Sequence, residues 1–146
     1  MCIDDLSKLN FKRVQYESAE LIKPYFSKRA NLSCDATPFN MIFWSEYYGI
    51  DFCCTDDALL WLMEAELPEK ELCAGIPICK AGDLEYYIDV MYRYFRDVLK
   101  RPFLISCIDS EIQAVKAALE KYNIKLSFIE HSANADYLYD GEKLRT

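Results

Sequence analysis

The sequence predicts an α/β (α+β) fold in which helices cover both faces of a mixed β-sheet. Short segments in which apolar residues alternate or run together indicate strands, and longer segments in which they recur every three or four residues indicate helices. The two kinds follow one another in the order β-α-α-β-β-β-α-β-α-β-β. An initial strand, two helices, a three-stranded meander and two strand-helix alternations are typical of such a sheet.

The composition indicates a single globular domain over residues 1–146. Of the 146 residues, 52% are hydrophobic and 28% are charged, and eleven tyrosines, eight phenylalanines and two tryptophans supply large core-forming surfaces. No repeat, low-complexity tract or obvious interdomain linker interrupts the sequence. A length of about 150 residues suffices to fold around one core without a disulfide or a metal.

Charge and hydropathy argue against two classes of function. The net charge of −7 disfavours autonomous nucleic-acid binding, which needs clustered lysine and arginine. The longest apolar stretch, Ala58–Met63, is too short to span a membrane, and the N-terminus lacks a positive region followed by an apolar one. We therefore expect a cytoplasmic protein with no membrane span.

Most of the seven cysteines are expected to be small buried side chains in a reducing compartment. Their number is odd, nothing indicates export, and close ligand pairs such as C-x-x-C are absent. With His131 as the only histidine, no metal site is predicted. The adjacent Cys53 and Cys54 point to opposite sides if they lie in a strand, so neither a shared metal nor an easy disulfide follows.

The first strand and the first helix are predicted within residues 11–26. Residues 11–16 alternate in a strand-like way, Ser18 fits a helix N-cap, and Pro24 should kink or split the helix that follows. The apolar residues on one side of this helix are Leu21, Ile22, Tyr25 and Phe26.

A second helix is predicted to begin with Thr37 as N-cap and Pro38 as first helical residue. Gly49 is its expected stop. The side chains expected to pack inward from it are Phe39, Ile42 and Phe43.

A meander of three strands follows. Residues 50–54 and 59–63 are apolar runs on either side of a turn at Asp56-Asp57, and the third strand covers about residues 72–79. Gly75 and Pro77 are unfavourable in a regular central strand, so we expect a bulge or a splayed edge there, a first indication of a site.

The last elements alternate between helix and strand. A helix begins at Gly82-Asp83 and ends before Pro102, and its inner face comprises Leu84, Ile88, Met91, Phe95 and Val98. Residues 103–108 are continuously apolar and predict a strand covered on both faces. A helix capped by Asp109 or Ser110 follows, with an inner face of Ile112, Val115, Leu119 and Tyr122. Further strands are predicted over about 124–129 and 137–139.

This order resembles the architecture of the Gcn5-related acetyltransferase superfamily. Several stretches are similar to the N-terminal half of an uncharacterised bacterial family that is related to the C-terminal domain of phosphatidylglycerol lysyltransferases. The resemblance spans roughly residues 8–146. The stretches that carry it are residues 21–26, Cys34-Asp35, Phe39-Asn40, Trp44, residues 136–140 and Glu142-Lys143-Leu144.

The resemblance implies that this chain is one half of a tandem pair. Members of the family have two acetyltransferase-like domains, and their chains continue after the Asp-Tyr-x-Tyr-Asp stretch into a basic helix and a second domain. The expected partner is therefore the missing C-terminal acetyltransferase-like domain, or a second copy of this chain. The lysyltransferase relatives move an aminoacyl group from transfer RNA to a lipid headgroup, and the missing half would have to bind that RNA.

The superfamily resemblance also locates a coenzyme A loop. Superfamily members cradle the coenzyme A pyrophosphate on backbone N–H groups between the third meander strand and the next helix. The corresponding residues are Lys80, Ala81 and Gly82. The loop has one glycine where the superfamily has two, and Asp83 places a negative charge where a phosphate would lie. We therefore expect no cofactor for this chain, and interpret the segment as a glycine turn followed by an aspartate N-cap.

A small-ligand site is a second hypothesis. Asn40, Trp44 and Tyr47 are spaced to share one helical face, where a polar group beside two aromatic rings can orient a substrate, with Asp35 in the preceding loop. The alternative is that the aromatic residues belong to the core and that Asp35 hydrogen-bonds the loop before Thr37.

Candidate catalytic residues lie near the end of the sequence. Tyr137 and Tyr139 share one face of a predicted strand, and either could act as a general acid; the alternative is that the pair packs against the second domain. His131 could pair with a cysteine or with the adjacent Glu130, or could lie on the surface at a strand end. The six acids within residues 56–71 indicate a solvated hairpin edge, with cation binding as the alternative.

The leading hypothesis is a non-catalytic or half-catalytic domain of an acyl- or aminoacyltransferase-like protein, which forms one wall of an interdomain site. The first alternative is a stand-alone N-acyltransferase that uses acyl-coenzyme A. The second is a homodimeric binding module.

Overall fold

Five strands form one mixed sheet in the computed structural model, which describes residues 3–28, 37–66 and 69–130. The strands, in chain order, are β1 (Lys12–Arg13), β2 (Asp51–Cys54), β3 (Leu59–Glu66), β4 (Lys70–Gly75) and β5 (Ile105–Ser106). They lie in the sheet in the same order. The pairs from β1 to β4 are antiparallel, and β5 runs parallel to β4.

Four α-helices accompany the sheet within the described ranges: α1 (Ala19–Phe26), α2 (Pro38–Phe43), α3 (Leu84–Arg93) and α4 (Ile112–Leu119). A π-helical segment, Tyr94–Leu99, continues α3. None of the helices found there combines the length and the apolarity that a bilayer span needs.

Each face of the sheet buries its own apolar cluster. Along β3, Leu60 belongs to the cluster shared with α3 and α4, whereas Leu59 and Trp61 belong to the cluster shared with α1 and α2. This alternation follows from the two-residue period of a strand. Ile22 of α1 and Met41 of α2 are fully buried on the second face. The α/β fold with helices on both faces is confirmed.

The predicted element order holds as far as α4 and is not confirmed beyond it. Residues 123–130 contain no strand, so the prediction of a strand over 124–129 is wrong. Ile124, Phe128 and Ile129 remain exposed because no neighbouring strand pairs with this segment in the described structure. The predicted strand at 137–139 lies outside the described residues.

Helix α1 differs from its sequence prediction in the role of Ser18 and in the effect of Pro24. Ser18 occupies the N-cap position, but its hydroxyl accepts a hydrogen bond from the Gln15 backbone N–H at 3.0 Å rather than from α1. Pro24 lies inside one continuous helix and does not split it.

Helix α2 begins as predicted but presents another side to the sheet. Thr37 caps it by accepting the Asn40 N–H at 3.2 Å, and Pro38 is its first residue. Met41 is buried in place of Phe39 and Phe43, which are 71% and 64% exposed. The prediction of an inward face that includes these two rings is wrong, because apolar residues at five of the six helical positions leave the inner side undetermined by periodicity.

The predicted stop of α2 is also wrong. The helix ends at Phe43, and a series of turns leads to Gly49, whose φ of +56° is a conformation that glycine adopts without strain. Gly49 therefore ends the turns rather than the helix.

Strand β4 ends at Gly75 rather than near residue 79, and the expected bulge lies at this end. Leu62 pairs with Ala74, but three residues earlier in β3 Leu59 pairs with Ile78, so the β4 side contributes one extra residue. The indole of Trp61 fills the space beside Gly75, where an added Cβ would lie 2.0 Å from Trp61 Cε2. The Trp61 Nε1–H donates to the Ile76 carbonyl at 2.8 Å. Position 75, beside the bulge, must therefore be glycine, because the buried Trp61 ring leaves no space for a Cβ.

Two expectations about the second half are wrong. The segment 103–108 pairs over two residues only and is half-buried or exposed, since its outer edge has no described neighbour. Val98 is 42% exposed because the π-helical segment has a wider turn, which shifts it off the inner face that includes Ile88 and Phe95. In α4, Val115 and Leu119 are buried as predicted.

The end of the π-helical segment provides a stability prediction. Lys100 has a φ of +54°, a left-handed conformation that costs a residue with a Cβ about 1 kcal/mol. Lys100→Gly should therefore raise the free energy of unfolding by up to about 1 kcal/mol in urea titrations. Lys100→Ala is the control for the lost side chain, and an equal gain from both variants would contradict the prediction.

Candidate functional site

The segment that the superfamily resemblance matches to a coenzyme A loop forms a turn at the start of α3. Lys80, Ala81 and Gly82 are exposed, and the Asp83 N–H donates to the Lys80 carbonyl at 3.0 Å. A Cβ at Gly82 would meet nothing within 4 Å, so no close approach requires glycine. Asp83 takes the N-cap position, but its side chain caps no N–H, which corrects the expected aspartate cap. An N-cap residue normally has an extended backbone, whereas Asp83 has helical backbone angles because it ends the 3₁₀ turn Ala81–Asp83.

Two carboxylates lie at the start of α3, the helix end to which the superfamily resemblance would assign a phosphate. Asp83 precedes α3 directly, and Glu85 lies in its first turn. Both charges are favourable to the helix N-terminus and repel an incoming pyrophosphate. The geometry of this loop thus favours a helix start over an anion site.

The predicted small-ligand residues come together only in part. Trp44 is the C-cap of α2 and Tyr47 lies in the turns beyond it, so the expected single helical face of Asn40, Trp44 and Tyr47 does not form. The rings of Trp44 and Tyr47 are nevertheless 6.1 Å apart, edge to face. Asp35 lies outside the described residues, as do His131, Tyr137 and Tyr139.

A continuous set of exposed rings, which we call the aromatic surface, extends from α2 into the following turns. It consists of Phe39, Phe43, Trp44, Tyr47 and Tyr48. Phe39 stacks on Phe43 at 5.6 Å, Phe43 meets Trp44 edge to face at 5.1 Å, and Tyr47 meets Tyr48 at 4.8 Å. Sequence reasoning missed this surface because it placed Phe39 and Phe43 in the core. The available signal was the density of aromatic residues, which exceeds what one side of a short helix can bury.

A groove between α1 and α2 continues the aromatic surface. Its volume is about 520 Å³, and Phe39 belongs to both features. Its charged residues are Glu17, Glu20 and Lys23, of which Glu20 and Lys23 form an ion pair at 3.1 Å. The remaining lining residues are Tyr16, Ala19, Pro38 and Ile42.

A second cavity, of about 440 Å³, lies beside the thiols of β2. Three aspartates line it together with Cys53 and Cys54. Nearby, the Tyr25 hydroxyl donates to the Thr55 carbonyl at 2.5 Å, and burial, with the neighbouring Cys54, raises the pKa of Tyr25 to about 12. Partial desolvation also raises the pKa of the Cys54 thiol, a shift opposite to the one that activates a cysteine nucleophile.

Most cysteines that the structure describes serve packing. Cys53, Cys73 and Cys79 are buried, Cys107 is half-buried and Cys54 is exposed. None of these five forms a disulfide in the described ranges. Burial raises the pKa of Cys73 to about 12. In the described ranges, no three His, Cys, Asp or Glu side chains lie close enough to hold a metal ion.

A cluster of charged and polar side chains around Asp89 has a structural role. The buried Asp89 accepts hydrogen bonds from Tyr122 Oη at 2.5 Å and Arg93 Nε at 3.0 Å, and Lys121 Nζ lies 2.9 Å away. Burial acts to raise the pKa of Asp89, but the bonds from Tyr122 and Lys121 and the charge of Arg93 outweigh it and lower that pKa. The cluster joins α3 to the turn after α4.

The sheet and its helices define the chain as a mixed α/β domain. No protein-family model and no curated protein matches the sequence. The fold is similar to the crystal structure of a conserved protein of unknown function from Bacteroides thetaiotaomicron, with a TM-score of 0.63 and 21% sequence identity. The match covers 76% of this chain and 36% of the Bacteroides chain. This likeness shows the fold alone.

Proposed function

We propose that this chain is a binding domain of an acyl- or aminoacyltransferase-like protein, which forms one wall of an interdomain site and does not transfer an acyl group by itself. The observation that carries the proposal is the start of α3. Asp83 and Glu85 put two negative charges at the start of this helix, and the loop before them makes an ordinary turn. Acyl transfer from coenzyme A would need that position to attract an anion.

Two further observations support a docking role. The aromatic surface presents large apolar rings to solvent, and exposed apolar patches of this kind mark interaction sites. The similar Bacteroides chain is much longer than the matched part, which supports a domain that works within a larger protein. The proposed compartment is the cytoplasm, since none of the five described cysteines forms a disulfide.

Titration calorimetry with coenzyme A tests the proposal. Because two carboxylates oppose the pyrophosphate, we expect no measurable binding at micromolar concentrations of the cofactor. A micromolar dissociation constant would contradict the proposal and favour a stand-alone N-acyltransferase.

A matched variant identifies the site of any binding that is observed. Lys80→Gln removes the cation of the loop, and binding at this loop would weaken in that variant. If Lys80→Gln leaves binding unchanged, coenzyme A binds elsewhere on the domain. That result would still contradict the proposal that the domain works without a cofactor.

A further inference from the structure

The described part of the chain leaves twelve large apolar side chains exposed, and seven of them belong to the segment with α1 and α2. The seven are Tyr16, Leu21, Phe39, Phe43, Trp44, Tyr47 and Tyr48. Five form the aromatic surface, and Tyr16 lines the groove that continues it. The groove and the aromatic surface together form one apolar strip, which runs between α1 and α2 and continues over the turns after α2. An elongated apolar groove of this kind can bind the apolar face of an amphipathic helix.

The charges beside this strip are unbalanced. Each of its two lysines is matched by a carboxylate, Lys23 by Glu20 at 3.1 Å and Lys70 by Glu64 at 3.4 Å. Within the described ranges, Glu17 and Glu46 have no ion pair. Among the described residues, the groove thus has one carboxylate without an ion pair, Glu17, and the exposed Glu46 directly precedes Tyr47 of the aromatic surface. The net charge of the chain is −7.

The aromatic surface already holds one cation. The ammonium of Lys70 lies 6.0 Å from the ring centre of Tyr47. A positive charge over an aromatic face is attracted by the ring electrons, and this attraction adds to that of nearby carboxylates. The same chemistry is available to a cation from another molecule at the rings of Phe43 and Trp44.

We propose that the groove between α1 and α2, together with the aromatic surface, binds a cationic amphipathic helix of a protein partner. The apolar face of that helix fills the strip, and its lysine or arginine residues meet Glu17, Glu46 and the ring faces. A second copy of this chain fits less well, because a symmetric contact would bring the same carboxylates towards one another. The proposal rests on the proposed docking function and specifies its surface and partner chemistry.

The test uses two labelled synthetic helices that share a leucine face and differ only in the opposite face, which is lysine in one and glutamate in the other. Fluorescence anisotropy should show micromolar binding of the lysine helix and at least about tenfold weaker binding of the glutamate helix. Phe43→Ser should weaken lysine-helix binding by about tenfold, as loss of a central aromatic contact does. Phe128→Ser, which removes a similarly exposed ring elsewhere, should leave it unchanged.

The carboxylates are tested separately. Glu17→Gln with Glu46→Gln should weaken binding of the lysine helix about fivefold and reduce its salt dependence, whereas Glu85→Gln on α3 should not. Equal affinities for the two helices, or binding that Phe43→Ser leaves intact, would overturn the proposal. It would also be overturned by dimerisation that Phe43→Ser abolishes, or by partition onto phosphatidylcholine vesicles in place of helix binding.

The two proposals fail in different ways. Micromolar coenzyme A binding alongside selective lysine-helix binding would overturn the non-catalytic role and leave the docking surface standing. Absence of both would overturn the docking surface and leave the non-catalytic role standing.

Discussion

Gly75→Ala is expected to lower the free energy of unfolding by about 3 kcal/mol, since it forces a methyl group into a filled space. The new Cβ would lie 2.0 Å from Trp61 Cε2, and the indole is buried. The ring would have to move, and its Nε1–H would lose the Ile76 carbonyl. Urea unfolding followed by circular dichroism measures the loss.

Gly82→Ala is the matched control for this variant. A Cβ there would meet nothing within 4 Å, and Gly82 has no left-handed backbone. The variant should be neutral or more stable by less than about 1 kcal/mol. Comparable losses from the two substitutions would show that lost backbone freedom, rather than the contact with Trp61, determines the effect.

A double-mutant cycle isolates that contact. Trp61→Ala should cost about 3–5 kcal/mol by itself, because it leaves a large cavity. Once the ring is absent, Gly75→Ala should cost far less than in the unaltered protein. Additive losses would contradict the packing explanation.

Asp89→Ala is expected to lower the free energy of unfolding by about 3 kcal/mol. It leaves the hydroxyl of Tyr122 and the partly buried guanidinium of Arg93 without their acceptor. Chemical denaturation measures the loss. Glu85→Ala, an exposed carboxylate on the same helix, should change stability by less than about 0.5 kcal/mol.

The pH dependence of this loss provides an independent check. The pKa of Asp89 is lower in the folded protein than the ordinary aspartate value of 3.8, because the bonds from Tyr122 and Lys121 outweigh burial. The carboxylate therefore stabilises the fold above pH 3.8, and this contribution falls as the pH drops below 3.8 towards the folded pKa. The stability difference between the unaltered protein and Asp89→Asn should shrink over that range. A constant difference would contradict the ionic role of Asp89.

Local signals predicted much of the fold. Thr37 and Pro38 are a cap and a first residue whose effect depends only on their own geometry, so α2 begins where expected. Gly75 and Pro77 disfavour a regular strand for the same local reason, and the bulge occurs there. The sequence did not reveal that the ring beside Gly75 belongs to Trp61, because that contact depends on the pairing of β3 with β4.

The side of each element that faces the core was harder to predict. In α2, apolar residues lie on almost every side, so the sequence pattern indicated no preferred inner face. Packing against the sheet buries Met41. In the second half, the change from α- to π-helical turns moved Val98 to the outside, which a fixed period could not anticipate. The same ambiguity concealed the aromatic surface, because Phe39 and Phe43 were expected in the core and are exposed.

The lengths of the strands have a consequence for self-association. Within the described chain, the two edges of the sheet are β1 and β5, each of two residues, whereas the strands between them are longer. An edge this short offers few free backbone N–H and C=O groups to an incoming strand, and the ladder that propagates fibrils needs many. Growth by addition of a strand to β1 or β5 is therefore disfavoured, even while large aromatic rings remain in contact with water.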